Sequence, residues 1–215
     1  MSTKVLQIEI WSDIMCPFCY IGKRRLEAAI AQWDSRPTID IQWRSFQLNP
    51  DLKDQPGKDI YTYLAELKGQ SREWSIQIHN QLTETAKELG LDYRFDLAKI
   101  ANSLDAHRII QLAKTLSLGN DMEERLFYAY FTEGACISDP AELVRLASEI
   151  GIPEIEAMKV LEEKLFTEAI EHDLEEAMQI GVRGVPFFVF NRKYAVSGAQ
   201  ATEHFVQVLQ KVMED

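Results

Sequence analysis

The stretch Ser12-Asp13-Ile14-Met15-Cys16-Pro17-Phe18-Cys19-Tyr20-Ile21-Gly22 decides how the rest of the chain is read. Two cysteines stand three positions apart, and a proline follows the first of them directly. Proline suits the first turn of a helix, where its missing N–H costs nothing. A helix is therefore predicted from Cys16 onward. Leu26, Ala29, Ile30 and Trp33 recur at helical spacing on the face that carries Cys19, and the helix is expected to stop before Pro37. Upstream, residues 4–11 are rich in β-branched and aromatic side chains and read as a strand. Downstream, residues 38–46 alternate apolar and polar and read as a second strand. The cysteine pair thus falls at a strand-to-helix junction.

That position carries chemistry. Residues i and i+3 share one face of a helix, so the two sulfurs can reach each other. A cysteine at the helix start faces unpaired N–H groups and the positive end of the helix dipole. Such surroundings lower a thiol's pKa. Cys16 has that position and Cys19, one turn inward, does not. The pattern fits disulfide exchange in which Cys16 attacks and Cys19 resolves the mixed disulfide. A zinc site is an open alternative, with Cys136 and His79, His107, His172 or His204 to complete it. No second pair has zinc-like spacing, so no metal ligand is assigned. A structural pair of buried thiols is the other alternative. The strand before the pair and the helix after it favour redox chemistry.

Bulk properties narrow the class. The 215 residues suffice for a sizeable core without disulfide staples. Against 23 basic residues stand 34 acidic ones, a net charge of −11, which argues against nucleic acid or an anionic membrane as a general partner. No apolar run is long enough to span a bilayer, and Met1-Ser2-Thr3-Lys4 leads straight into the first strand without a signal-peptide pattern. A cytoplasmic setting is expected. Three cysteines, an odd number with one close pair, do not form a secreted disulfide framework.

The remaining chain divides in two. Residues 47–57 hold Asn49, Pro50, Asp51, Pro56 and Gly57, which is loop chemistry. Helices are predicted near 58–68, 71–89, 97–117, 120–132, 140–149 and 153–163, with Asp139 before Pro140 as a helix cap. Another runs over 165–180. Phe187 to Phe190 reads as a short buried strand, Lys193 to Ser197 as its hairpin partner, and 201–213 as a closing helix. The order β-α-β, helices, α-β-β-α is that of a thioredoxin fold, class α/β, opened by a large all-helical insertion. Residues 1–57 and 165–215 are expected to form the thioredoxin-like domain and 58–164 the insertion.

Other residues qualify as participants. Pro186 stands just before the apolar strand, and a cis Val185–Pro186 bond would set the Val185 backbone beside Cys16, ready to pair with an extended substrate. An ordinary trans proline at a strand start is the plainer reading. Asp13 is placed to relay the proton of Cys19 and so tune its pKa, or to serve as a loop carboxylate or cap. Lys23 lies one turn past Cys19 and can reach the rim of the site, where its charge would lower the pKa of Cys16. With Arg24 and Arg25 it also reads as a solvated helix face. Alternation cannot decide which face of the first strand Glu9 occupies. Cys136 reads as an inert thiol. The aromatic residues of the insertion, among them Tyr93, Phe95, Phe127, Tyr130 and Phe131, read mostly as core.

Taken together, the motifs resemble the DsbA-like thioredoxin family, specifically its FrnE-type branch. Beside the cysteine segment they are Phe46-Gln47-Leu48-Asn49-Pro50, Asn102-Ser103-Leu104-Asp105-Ala106-His107-Arg108, Gly184-Val185-Pro186-Phe187-Phe188-Val189-Phe190 and Ala195-Val196-Ser197-Gly198-Ala199-Gln200. The resemblance spans almost the whole chain. It implies a thioredoxin fold with a helical insertion, a cis proline at Pro186, and dithiol oxidoreductase activity with Cys16 nucleophilic and Cys19 resolving. Its substrates would be disulfide-containing proteins or small-molecule thiols, with no bound cofactor and with glutathione as a conceivable co-substrate. The superfamily also holds glutathione-dependent 2-hydroxychromene-2-carboxylate isomerases and kappa-class glutathione transferases. Those carry serine at the position of Cys16 and lack the second cysteine, whereas this chain has both. They also tend to have an acidic residue where this chain has Gln200. A glutathione-dependent isomerase or transferase acting on an aromatic compound is the alternative function. A chaperone-like binding protein with incidental thiols is a third.

Overall fold

The computed structural model describes residues 5–33, 38–55 and 57–214. The start at Met1–Lys4, the helix stop at Pro37 and the loop proline Pro56 lie outside the described residues. The chain separates into two compact units. One holds the described residues of Met1–Leu48 and Glu168–Asp215, the other those of Asn49–Thr167.

The first unit is built on one four-stranded sheet. β1 (Val5–Ser12) leads into α1 (Pro17–Ala31), and β2 (Thr38–Ser45) returns parallel to β1. The chain re-enters this unit with α8 (Thr167–Gln179). β3 (Phe187–Phe190) then pairs antiparallel with β1, and β4 (Tyr194–Ser197) closes a hairpin with β3. α9 (Thr202–Glu214) ends the chain, and the strand order is β2-β1-β3-β4. The fold class is α/β, a thioredoxin sheet with helices on both faces.

Strand period places the layers. On one face Ile10 stands opposite Phe188, and Phe188 meets Phe205 of α9 edge-on at 4.8 Å. On the other face Trp11 and Val189 pack with Ala177 and Val182 from the α8 side. Trp11 also donates its indole N–H to the carbonyl of Asp173 at 2.9 Å. Glu9 shares that face, which alternation alone left undecided. It is buried and bracketed by Arg44, at 2.5 Å, and by Arg192. Arg44 also pairs with Asp173 at 3.1 Å, and Arg192 with Glu176 at 2.5 Å. Burying a carboxylate is costly without such partners. The network thereby joins β1, β2 and α8 through charge where the rest of that face uses apolar contact.

The second unit is helical, and among its described residues there is no strand. It contains α2 (Ile60–Lys68), α3 (Arg72–Glu88), α4 (Leu104–Thr115), α5 (Gly119–Tyr128), α6 (Pro140–Glu149) and α7 (Glu154–Glu162). α5 runs on into a single π-turn at Ala129–Glu133, which Gly134 ends at φ 69. Asp59, Ser71 and Asp139 cap α2, α3 and α6 with their side chains. Asp139 does so as the sequence predicts. Tyr93 stacks on Phe131 at 4.6 Å, and Phe95, Phe127 and Tyr130 surround the same ring, so these aromatics are core.

Three boundaries differ from the sequence reading. Residues 97–103 are not helical. The side chain of Asn102 accepts from the N–H of Leu104 and donates to the carbonyls of Pro50 and Leu52. Asn102 therefore starts α4 late and fastens two loops together. The same bonds, with Gln55 N–H to the Ile100 carbonyl at 3.2 Å, fix residues 49–55 to the helical unit. The seam lies at Leu48–Asn49, whereas the loop composition suggested 57–58; at the other end it lies at Thr167–Glu168 rather than 164–165.

Candidate active site

Cys16 is the N-cap of α1, with extended φ −88 and ψ 109, and Pro17 begins the helix. The turn before it is closed by the Cys16 N–H, which donates to the Asp13 carbonyl at 2.9 Å. Cys19 follows one turn in, its N–H donating to the Cys16 carbonyl at 2.9 Å. Both residues are buried, Cys16 at 4% and Cys19 at 1% exposure, while Phe18 between them is about half exposed.

The two thiols have unlike surroundings. Burial pushes the Cys19 thiol well above its ordinary range, and the hydrogen bond and charge of Cys16 push it further. The Asp13 backbone and the Ser12 hydroxyl pull in the other direction without overcoming those effects. Cys19 is thus held as a protonated thiol. Cys16 points its sulfur at the Val185 carbonyl, 3.4 Å away.

The Val185–Pro186 peptide bond is cis. Two elements hold this loop. The Gly198 N–H donates to the Pro186 carbonyl at 2.8 Å. α1 approaches where it has no side chain: a Cβ on Gly22 would stand 3.0 Å from both Pro186 Cγ and Phe188 Cζ. Arg25 donates to the Ala199 carbonyl at 2.6 Å, tying the same helix to the segment after β4. Gly22 belongs to the quoted motif, but its role is steric and could not be read without knowing what packs there. Its spacing of three from Cys19 was the available signal.

Asp13 takes the loop-carboxylate role, one of the two the sequence offered, whereas Lys23 departs from the solvated face expected of it. Asp13 is fully buried, and its carboxylate accepts from the N–H groups of Met15 at 3.3 Å and Leu48 at 2.8 Å. It shapes the loop entering α1 and joins it to the end of β2. Its effect on Cys19 comes from its backbone. Lys23 is not on a solvated face, for it is 3% exposed and paired with Glu27 at 2.5 Å. Arg24 reaches the same carboxylate at 2.7 Å. Gln200 is exposed and donates to the Ser197 carbonyl at 2.8 Å.

Cys136 is half-buried with its sulfur 3.4 Å from the Ser138 hydroxyl. Arg108 is buried and donates to the carbonyls of Lys164 and Leu165 and to the Thr167 hydroxyl, which makes it a clasp on the end of that unit. Among the described residues no group of three or more His, Cys, Asp or Glu is arranged to hold a metal ion, and no helix is long and apolar enough to cross a membrane.

A buried dithiol at a helix start, facing a cis-proline loop on a four-stranded sheet, is the arrangement of a thioredoxin-fold dithiol protein. The family model for a DSBA-like thioredoxin domain matches residues 7–210. The chain belongs to the DsbA-like thioredoxin family, the one its motifs resemble. A probable DsbA oxidoreductase from Streptomyces coelicolor is 34% identical and superimposes with a TM-score of 0.92, covering 98% of this chain and 91% of that one. The cytosolic disulfide reductase DsbM from Pseudomonas aeruginosa shares the fold at 17% identity, with a TM-score of 0.69 over 97% of this chain and 98% of its own. Among curated proteins, the uncharacterized protein YwbO of Bacillus subtilis is 26% identical over 209 residues, 95% of this chain and 96% of that protein.

Proposed function

We propose that this protein is a thiol–disulfide oxidoreductase, with Cys16 as the attacking sulfur and Cys19 as the resolving one. The observation that carries the proposal is the Cys16 thiol aimed at the Val185 carbonyl from the start of α1, with Cys19 kept protonated behind it. Cys16 attacks a substrate disulfide, and one substrate thiol leaves. Cys19 then loses its proton and attacks the Cys16 sulfur. The second substrate thiol leaves, and a Cys16–Cys19 disulfide remains. Val185 offers backbone groups for an extended substrate to pair with, and Pro186 fixes their position.

The substrates are proteins or small molecules containing a disulfide, with glutathione as a co-substrate. A cytoplasmic location belongs to the same proposal. It is supported by the cytosolic disulfide reductase that shares the fold and by the single close cysteine pair. Equilibration of the protein against reduced and oxidised glutathione tests the reading. A reversible two-electron transition confined to the Cys16–Cys19 pair is expected. A protein that stays fully reduced at every poise, or forms only adducts on Cys136, would refute it.

A further inference from the structure

Beside the cis-proline loop the sheet unit has an open groove of about 560 Å³, lined by Arg183, Gly184, Val185, Ser197 and Gly198 among others. Arg183 is exposed on its wall. Nine of the ten described arginines are engaged: Arg24, Arg44, Arg72, Arg94, Arg125, Arg145 and Arg192 with carboxylates, Arg25 with a backbone carbonyl, and Arg108 with both. Arg183 is the exception. It makes no ion pair or hydrogen bond among the described residues, although the chain carries 34 acidic residues. The backbone N–H groups of Arg183, Gly184 and Val185 likewise donate no hydrogen bond among the described residues.

We infer that Arg183 reads a carboxylate on the disulfide substrate, within two residues of the cysteine that reacts with Cys16. The inference rests on the proposed exchange reaction and deepens it. A peptide that pairs with Val185 in either direction passes Gly184 and Arg183 within two residues on one side. A guanidinium with all its donors available suits the forked geometry of a carboxylate. Glutathione disulfide carries such a group at its chain terminus, and a protein cystine carries one where an acidic side chain stands near it. The groove volume lies in the range of small-molecule sites, which favours a short thiol peptide with a free terminal carboxylate. Against a net charge of −11 that repels anions at long range, a free cation on the groove that Val185 also lines selects for a carboxylate placed there.

The test is a single turnover of the pre-reduced protein, followed by acid quenching and mass spectrometry. Substrate S–S bonds break, the Cys16–Cys19 bond forms, and two electrons and two protons pass to the two departing thiols. Glutathione disulfide is compared with its C-terminal diamide, and wild type with Arg183→Gln. The uncharged bis(2-hydroxyethyl) disulfide serves as control. Wild type should lose about three- to tenfold in rate on amidation, the range of an exposed charge-assisted pair. Arg183→Gln should lose as much on the acid and nothing further on the diamide. Both proteins should react equally with the uncharged disulfide. A second arm uses a short cystine peptide with an amidated terminus and Asp or Asn two residues from its cysteine. An Asp preference there that vanishes in Arg183→Gln assigns the carboxylate to an acidic side chain of a protein substrate, and its absence beside a glutathione effect assigns it to a chain terminus. Equal rates for acid and amide in both arms, with the uncharged disulfide still oxidising the dithiol, overturn the inference and leave the proposed function standing. Failure of every disulfide to oxidise the dithiol overturns that function itself.

Discussion

Each of the two units contains free cysteine, in settings that share almost nothing. In the sheet unit, Cys16 and Cys19 stand at a helix start, both nearly inaccessible, against the Val185–Pro186 loop. In the helical unit, Cys136 follows the π-turn, half-buried beside the Ser138 hydroxyl. The more exposed sulfur is therefore the one without an exchange partner. Exposure does not make a redox site here. On the proposed mechanism, a second thiol within reach and a loop able to pair with substrate do.

Substitution of the cysteines breaks the comparison most severely. Cys16→Ser should reduce exchange with small disulfides to the uncatalysed rate, whereas Cys136→Ser should keep the wild-type rate; initial velocities of thiol release decide. Cys19→Ala should keep the first step and lose the second. A mixed disulfide on Cys16 should then accumulate, visible as a substrate-sized mass increase that dithiothreitol removes.

Gly22→Ala comes next. The new methyl would stand 3.0 Å from Pro186 and Phe188, in a packed layer. Overpacking of this kind costs about 1–3 kcal/mol. A lower Tm and slower exchange are expected together, because the same contact positions the loop facing Cys16. Unchanged Tm with unchanged rate would show that α1 does not set that loop.

These effects also mark what the sequence could disclose. The first two strands and the cysteine helix were legible because each has a local signature: strand-type composition with period-two alternation, and Pro17 after Cys16. The residues left the Val185–Pro186 bond open between trans and cis, and the family resemblance alone implied the cis form. Lys23 was misplaced, and the two readings of Asp13 stayed open, because both depend on partners supplied by tertiary structure. Lys23 looks solvated in sequence and is buried against Glu27. Asp13 reads in sequence as a proton relay or a loop carboxylate, and it serves the N–H groups of Met15 and Leu48. Residues 97–103 carry helical spacing, yet Asn102 bonds to a loop some 50 residues upstream and halts the helix there. No local pattern encodes such a partner.

The smallest expected effect distinguishes the units by pH. Burial lowers the pKa of His79 in the helical unit below the ordinary value of 6.5, against the opposing hydrogen bond to the Ser75 carbonyl. The folded state there binds fewer protons than the unfolded chain, so stability is present above that value and declines as pH falls below it. Cys19 has the opposite sign. Its raised pKa keeps a proton that the unfolded chain releases, so its contribution is full below the ordinary thiol range and is lost as pH rises from there toward the folded value. Denaturant midpoints of the reduced protein should fall on both limbs. His79→Asn should flatten the acid limb and Cys19→Ala the alkaline one. A variant that alters the wrong limb would contradict the assignment.

The central claim is that Cys16 and Cys19 form one redox couple and Cys136 stands apart from it. Its most direct test is peptide mapping of the protein after one equivalent of a small disulfide, with free thiols alkylated before digestion. A peptide spanning residues 12–22 that has lost two hydrogens and carries no alkyl group is expected, with Cys136 fully alkylated. A Cys136 joined to substrate or to either partner, with Cys16 and Cys19 both alkylated, would contradict it.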